Sequence, residues 1–331
     1  MTFQVKTLRA ASALPGKDSP FAEAVKTGLS KTPKTLPSWL LFDDRGSELF
    51  KKITELDNYP PYVCEAEILN ACKQDIADLF ANDPLALLEL GSGDGEKAKI
   101  LIREFIAKKQ DLHYMPIDIT DAATRKLVAS LEQSFASASL KVTGLVADFF
   151  EGLRAVDDDG QVRKLVLFLG ATLGNRSFPE MEIFLKQLHD ALNADDYVMI
   201  GFDLMKHPKL IYEAYNDPQG RFSDFNLYML DRINEELQAD FNKDQFVQQA
   251  QFNWNTRAVE SQVISVCEQT VTIQALEQTF QFKAWETLQT ERSYKYTEEE
   301  IDWLAERCGF HTERRWYDSN KGYVMQLWRA C

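Results

Sequence analysis

The sequence predicts an α/β fold: a doubly wound parallel sheet joined to a second, α+β part. Three observations lead there. Between Ala86 and Phe202, short apolar runs alternate with amphipathic helical stretches, the pattern of parallel strands linked by helical crossovers. One run, Lys164–Leu169, is apolar almost throughout, as a central strand covered on both faces must be. Between Phe246 and Lys283, apolar and polar residues alternate instead, as in Val259–Val266 and Val271–Gln274, which reads as antiparallel meander.

Bulk properties narrow the class. The 331 residues allow one large domain or two ordinary ones. A hydrophobic share of 45% and a charged share of 27% suit a globular chain with ample core. The net charge of −14, from 37 basic and 51 acidic residues, speaks against nucleic acid or an anionic membrane as main partner. It leaves room for a small cationic or zwitterionic substrate. Cys64, Cys72, Cys267, Cys308 and Cys331 contain no C-x-x-C pair and read as free thiols of a reducing cytoplasm. His113, His189, His207 and His311 are scattered, so no metal site is expected. There is no secretory h-region and no apolar run of about 18 residues, so neither a signal peptide nor a membrane span is expected. A cytoplasmic monomer is the expectation.

The elements follow in order. Residues 1–37 show only a short helical pattern near Phe21–Leu29. A turn is expected at Asp43–Gly46, then a helix with Leu49, Phe50 and Ile53 on one face, broken at Tyr59-Pro60-Pro61-Tyr62. Glu65–Leu79 resumes a helix. Ala86–Leu90, Leu112–Ile117, Leu140–Val146, Lys164–Leu169 and Tyr197–Phe202 read as strands, with helices over Glu96–Lys109, from Thr120 to about Phe135, and over Phe178–Leu192. Arg221–Phe241 is a long helix with Phe225, Met229, Ile233 and Leu237 in phase. After the meander, Thr297-Glu298-Glu299-Glu300 forms a capping box. Two strands follow near His311–Tyr317 and Tyr323–Trp328, whose alternation fits a half-buried edge pair.

The chemistry centres on Leu87–Lys97, Leu-Leu-Glu-Leu-Gly-Ser-Gly-Asp-Gly-Glu-Lys. Strand, glycine turn and helix let backbone lie close against a ligand. A dinucleotide fingerprint needs a third glycine where Glu96 stands, and a carboxylate there is a poor neighbour for a pyrophosphate. The form suits S-adenosylmethionine, which has no phosphate and carries a sulfonium and an ammonium group. Three further strand ends agree. Asp118 can accept both ribose hydroxyls; Asp148 can accept the adenine amino group, with Phe149 stacking on the purine; Gly170–Asn175 is small, and Asn175 offers both a donor and an acceptor. A lone Asp at a strand end also serves as helix cap or solvated turn, so the order and spacing of all four ends carry the reading. The cofactor-facing candidates are Gly91, Ser92, Gly93, Lys97, Asp118, Asp148 and Phe149.

With these residues in place, the chain resembles the S-adenosylmethionine-dependent histidine Nα-methyltransferases of ergothioneine biosynthesis, with fungal relatives acting on tryptophan derivatives. The resemblance runs from about Lys34 to Ala330, through residues 42–50, 89–93, 114–120, 168–175, 201–206, 214–217, 225–226 and 290–295. Gly-Ala-Thr-Leu-Gly-Asn (170–175) and Thr-Glu-Arg-Ser-Tyr-Lys (290–295) are the specific stretches. It implies a Rossmann-like class I methyltransferase sheet and a second α+β substrate-binding domain closing over the amino acid. Residues 1–62 would belong to the substrate-binding domain, 63–206 to the methyltransferase core, 207–290 to the rest of the substrate-binding domain and 291–331 to strands completing the core.

By the same resemblance, Tyr59, Asn175 and Tyr215 hold the substrate's amino and carboxylate groups, and Glu291 and Ser293 recognise the imidazole. Tyr59 and Tyr215 are also readable as half-buried structural tyrosines and Glu291 as a solvated charge. Two departures bear on the substrate: Phe42 replaces a tyrosine near the substrate ring, and Pro60-Pro61-Tyr62-Val63 replaces the usual Tyr-Pro-Thr-Arg after Tyr59. The expected reaction is methyl transfer to the α-amine of free L-histidine, up to the trimethylated betaine hercynine, with Tyr59 and Asn175 orienting the amine and no general base assigned. The alternatives are the same chemistry on an indole-bearing amino acid, a nicotinamide-dependent dehydrogenase, and a non-catalytic S-adenosylmethionine-binding module.

Overall fold

The computed structural model describes residues 2–8, 18–57, 59–81, 83–135, 140–156 and 162–331. Among them the elements run β1 (Thr2–Thr7), α1 (Pro20–Leu29), β2 (Lys34–Thr35), α2 (Asp44–Thr54), α3 (Pro60–Leu79), β3 (Leu85–Leu90), α4 (Glu96–Ala107), β4 (Leu112–Asp118), α5 (Asp121–Phe135), β5 (Leu140–Val146) and α6 (Phe149–Arg154). They continue through β6 (Arg163–Phe168), α7 (Phe178–Asp190), β7 (Tyr197–Asp203), α8 (Pro208–Tyr215), α9 (Arg221–Leu237), β8 (Phe246–Asn253), β9 (Ala258–Ser265) and β10 (Gln269–Ile273). The last are β11 (Gln278–Phe282), β12 (Thr287–Tyr294), α10 (Glu298–Arg307), β13 (Phe310–Tyr317) and β14 (Tyr323–Ala330). They form two compact units: Met1–Ala10, Pro60–Met205 and Lys295–Cys331 make the first, Ala11–Tyr59 and Lys206–Tyr294 the second.

The first unit is built on an eight-stranded sheet in the order β1-β5-β4-β3-β6-β7-β14-β13. The strands from β1 to β7 pair in parallel, while β14 is antiparallel to both β7 and β13. Every residue of β3 and β7 is buried, which explains their lack of alternation. The core joins Leu87, Tyr114, Val142, Leu165 and Met199 of the parallel strands to Ile68, Cys72 and Ile76 of α3 and to Met325 and Leu327 of β14. The sheet is Rossmann-like: β3 lies between β4 and β6, so the connections leave it in opposite directions, and ligands bind at the carboxyl ends beside such a reversal.

Three sequence expectations change here. β1, which the sequence assigns with residues 1–62 to the substrate-binding part, pairs with β5 in this sheet from Thr2 opposite Lys141 to Thr7 opposite Val146. It is an edge strand of six residues with only Phe3 and Val5 apolar, too few to mark a strand before its partner is known. The half-buried edge expectation holds for β13, which ends the sheet and is largely exposed, but not for β14, which is interior with Gln326 and Trp328 both fully buried. The apparent alternation arose because Gln326 reads as exposed, whereas its Oε1 accepts the Trp328 indole N–H at 2.7 Å. Asp43–Gly46 is not a free turn but the start of α2: the Asp43 side chain caps it by accepting the Gly46 N–H at 2.7 Å.

The second unit holds a four-stranded sheet in the order β2-β12-β9-β8, and β10 and β11 pair as a separate hairpin. β9 is antiparallel to both β8 and β12, and β2 adds two residues in parallel to β12. α9 buries Phe225, Met229, Ile233 and Leu237, the phase read from the sequence, against β8 and β9. β12 runs on to Tyr294 within this unit, past the expected division at 290/291. No helix among the described residues is long and apolar enough to cross a membrane.

Candidate active site

In the first unit, the glycine turn leaves β3 where the Gly91 N–H donates to the Ile117 carbonyl at 2.9 Å. Gly93 has φ +51°, and a side chain there would meet nothing within 4 Å, so the backbone borders open space. Gly95 also lies in the left-handed region, at φ +67°, and a Cβ would sit 2.5 Å from Leu127 Cδ1. It caps α4 as a bare residue, which leaves room for Leu127 of α5. Glu96, the residue that breaks a dinucleotide fingerprint, pairs with Lys99 Nζ at 2.7 Å.

Asp118 fastens this turn to the end of β4. One carboxylate oxygen accepts the Gly93 N–H at 3.3 Å and the other the Thr120 N–H at 2.9 Å. Burial raises its carboxyl pKa, while the hydrogen bonds from Thr120 and Gly93 act to lower it. Asp148 caps α6: its Oδ1 accepts both the Phe150 and Glu151 N–H groups, at 3.0 and 2.9 Å. The sequence allowed a helix cap or a ligand contact there, and both capping bonds fall on one oxygen. The Phe149 ring lies against the turn, since a Cβ on Gly91 would be 3.6 Å from its Cζ. It is backed edge-on by Phe168 at 5.8 Å and Phe184 at 6.2 Å. Ser92 is buried, and its Oγ has no hydrogen-bond partner among the described residues.

Lys97, in the first turn of α4, is held from α3. Its ammonium is 2.5 Å from Glu65 Oε2 and 5.9 Å from the centre of the Tyr62 ring. Glu65 is fully buried and accepts three more contacts: the Gly170 N–H at 2.8 and 2.9 Å to its two oxygens, and the Tyr323 hydroxyl at 2.6 Å. The sequence reading missed Glu65. The signal was present, because Glu65 falls in the helical stripe of Pro61, Ile68, Leu69 and Cys72, where a charge has no business being solvated. Asn175 closes a short 3₁₀ turn, Thr172–Asn175, after β6 and is half-buried.

Glu89, the penultimate residue of β3, takes the Tyr114 hydroxyl as a donor. Burial pushes its carboxyl up to about 8; the Tyr114 hydrogen bond and Lys97 oppose this, and Asp94 and Glu65 add to it. Between the ordinary value of 4.5 and about 8, the folded chain therefore holds a proton that the unfolded chain releases. Stability from this group is full below pH 4.5 and falls as pH rises towards 8, by at most about 1.4 kcal/mol per pH unit. Glu89→Gln removes the titration, so the variant's melting temperature relative to the parent should climb from pH 5 to pH 8. A difference that stays flat across that range would contradict the buried, protonated carboxyl.

In the second unit, Tyr59 and Tyr215 are buried and meet edge to face at 6.2 Å between ring centres. Phe222 lies 5.6 Å from Tyr59 and 5.2 Å from Tyr215. Phe42 joins the same cluster through Phe50 at 5.4 Å and Phe225 at 5.6 Å. The Tyr215 hydroxyl donates to Ser293 Oγ at 2.7 Å. Glu291 and Ser293, two apart on β12, share one face of the strand, and both are buried. Tyr59, Tyr215, Ser293 and Phe42 are thus joined within one unit, although they come from three separate stretches. Sequence reading missed what stands beside them. Ser261 lies opposite Glu291 on β9, and its buried hydroxyl has no hydrogen-bond partner among the described residues. Thr290 donates its hydroxyl to Asn226 Oδ1 at 2.5 Å, with both residues fully buried.

A family model for histidine-specific, S-adenosylmethionine-dependent methyltransferases matches residues 21–330. The chain belongs to that family. A histidine N-alpha-methyltransferase of Mycobacterium tuberculosis is 32% identical to it over 303 residues, which cover 92% of each chain. One from Mycolicibacterium smegmatis has the same identity and coverage. Ergothioneine biosynthesis protein 1 of Schizosaccharomyces pombe is 30% identical over 286 residues, 83% of this chain and 36% of that one.

This methyltransferase therefore uses S-adenosylmethionine, and the first unit fits it. Ser92 has a buried hydroxyl to offer, the backbone at Gly93 faces open space, and Asp118 stands at the end of β4. Among the described residues, no group of three or more His, Cys, Asp or Glu could hold a metal ion.

Proposed function

We propose that this methyltransferase acts on the α-amine of free L-histidine and carries the transfer to Nα,Nα,Nα-trimethylhistidine. The observation supporting this most is the β12 arrangement: a buried carboxylate at Glu291 two residues from Ser293, whose hydroxyl is bonded to Tyr215. A buried carboxylate accepts an imidazole N–H strongly, because little water competes for it. Ser293 can serve the other ring nitrogen, since a hydroxyl both donates and accepts. A similarity to relatives named for histidine methylation points the same way.

When bound, S-adenosylmethionine supplies an electrophilic methyl on its sulfonium. The protein's part is placement. Tyr59, Asn175 and Tyr215 are assigned to the substrate's amino and carboxylate groups, with Tyr59 and Asn175 orienting the nitrogen lone pair. In the first unit, Gly91, Ser92, Gly93, Lys97, Asp118, Asp148 and Phe149 are assigned to the cofactor. Such positioning is worth on the order of 7–11 kcal/mol when the geometry is near-attack. Each of the first two transfers leaves a proton on the nitrogen that must depart before the next. The aromatic faces around Tyr59 suit a nitrogen that becomes cationic and loses its protons.

A second reading, an indole-bearing amino acid, draws on Phe42, which puts an apolar ring beside Phe50 and Phe225 where a hydroxyl would favour a polar heterocycle. Incubation with S-adenosylmethionine and a panel of twenty amino acids, followed by mass spectrometry, separates the two. Histidine should gain one, two and three methyl groups. Unmodified histidine beside a methylated tryptophan would overturn the assignment.

A further inference from the structure

We propose that Glu65 is a positioning residue for the methionyl end of S-adenosylmethionine, acting through Lys97 and Gly170. This rests on the reading of the glycine turn as the cofactor site. Strand order orients that site: Asp118 ends β4 and Asp148 follows β5, both on one side of β3, while Gly170 follows β6 on the other. If the adenosine lies towards β4 and β5, the amino-acid end lies towards β6. That end is a zwitterion, and Lys97 is a cation on that side, with its Nζ 3.6 Å from where a Cβ on Gly170 would stand. Its side chain is 17% exposed, against 0% for Glu65, so Lys97 can reach a carboxylate and Glu65 cannot touch the ligand.

Glu65 acts by what it holds. It fixes one end of a four-carbon side chain that would otherwise sample many rotamers, and so removes an ordering cost from binding. Its two oxygens also hold the Gly170 N–H, which sets the turn after β6 where the backbone has φ +79°. From below, Tyr323 donates to the same carboxylate. Tyr62, one helical turn before Glu65, leaves Lys97 flanked on a second side. Three segments distant in sequence, α4, the turn after β6 and β14, therefore converge on a single buried carboxylate, more than a surface ion pair would need.

The test compares two ligands by calorimetry on the full chain: S-adenosylhomocysteine, and methylthioadenosine, which keeps the adenosine and thioether but lacks the amino-acid end. Glu65→Gln should weaken S-adenosylhomocysteine at least tenfold and change methylthioadenosine less than twofold. In turnover, KM for S-adenosylmethionine should rise while kcat changes little. Equal losses for both ligands would mean a general structural role, and no loss for S-adenosylhomocysteine would mean no role; either overturns the proposal. Tyr323→Phe, which keeps the Glu65–Lys97 contact, should give the same selectivity in a weaker form, and guards against a Glu65 variant that does not fold. Lys97→Met isolates the underlying reading. If it leaves S-adenosylhomocysteine binding intact, the assignment of Lys97 fails; if it weakens binding while Glu65→Gln does not, only the role of Glu65 fails.

Discussion

Gly201→Ala is expected to lower the unfolding free energy of the first unit by about 3–5 kcal/mol. Gly201 lies in β7 opposite Met325 of β14, at ordinary strand dihedrals, so backbone freedom is not the reason for a glycine there. Space is. A Cβ would stand 2.5 Å from the Tyr323 hydroxyl and nearer still to Glu65 Oε1. Neither group can retreat cheaply, because Tyr323 is fully buried and Glu65 is held by Gly170 and Lys97 as well. A single methyl therefore forces a buried carboxylate off its donors, which adds the cost of unsatisfied polar groups to that of overpacking. Urea unfolding followed by circular dichroism measures this directly. A loss below about 1 kcal/mol would mean that the carboxylate has slack that the structure does not suggest.

Glu291→Gln is expected to weaken histidine binding by about 30–150-fold and S-adenosylhomocysteine binding by less than twofold. The first figure corresponds to about 2–3 kcal/mol, the worth of a hydrogen bond to a charged group whose surroundings exclude water. Glu291 is only 8% exposed, on a strand flanked by β9 and β2. The amide keeps the shape and removes the charge, so packing is largely preserved and the readout reports electrostatics. Calorimetric titration with each ligand checks both halves. Equal losses, or none, would remove Glu291 from the proposed imidazole subsite.

Much of the proposed cofactor region was legible in the sequence because it is local. Gly91 to Lys97 is continuous, and Asp118 and Asp148 announce themselves as acids at the ends of apolar runs. The features that escaped are non-local. Glu65 is a buried acceptor only because Tyr323 and Gly170, far away in sequence, deliver donors to it. Gln326 passes for an exposed residue until β14 takes its place between β7 and β13 and the Trp328 indole N–H donates to its amide oxygen. β1 is six residues of weak pattern that become a strand by pairing with β5. In the second unit, the phase of α9 was plain, whereas the resemblance singled out Glu291 and Ser293 but assigned them to the methyltransferase core. The Tyr215–Ser293 hydrogen bond depends on where α8 packs, and the presence of Ser261 beside Glu291 on strand register, neither of which composition encodes.

The interior position of β14 has a consequence for synthesis. β7 emerges from the ribosome long before Tyr323 can lie opposite Asp203, and the whole of the second unit's larger segment is made in between. During that interval the flank of β7 that β14 will cover is an open edge lined by buried-type residues, and Glu65 lacks its tyrosine donor. The first unit thus completes its sheet only after translation has passed β14, and until then β7 is an unpaired edge in the nascent chain.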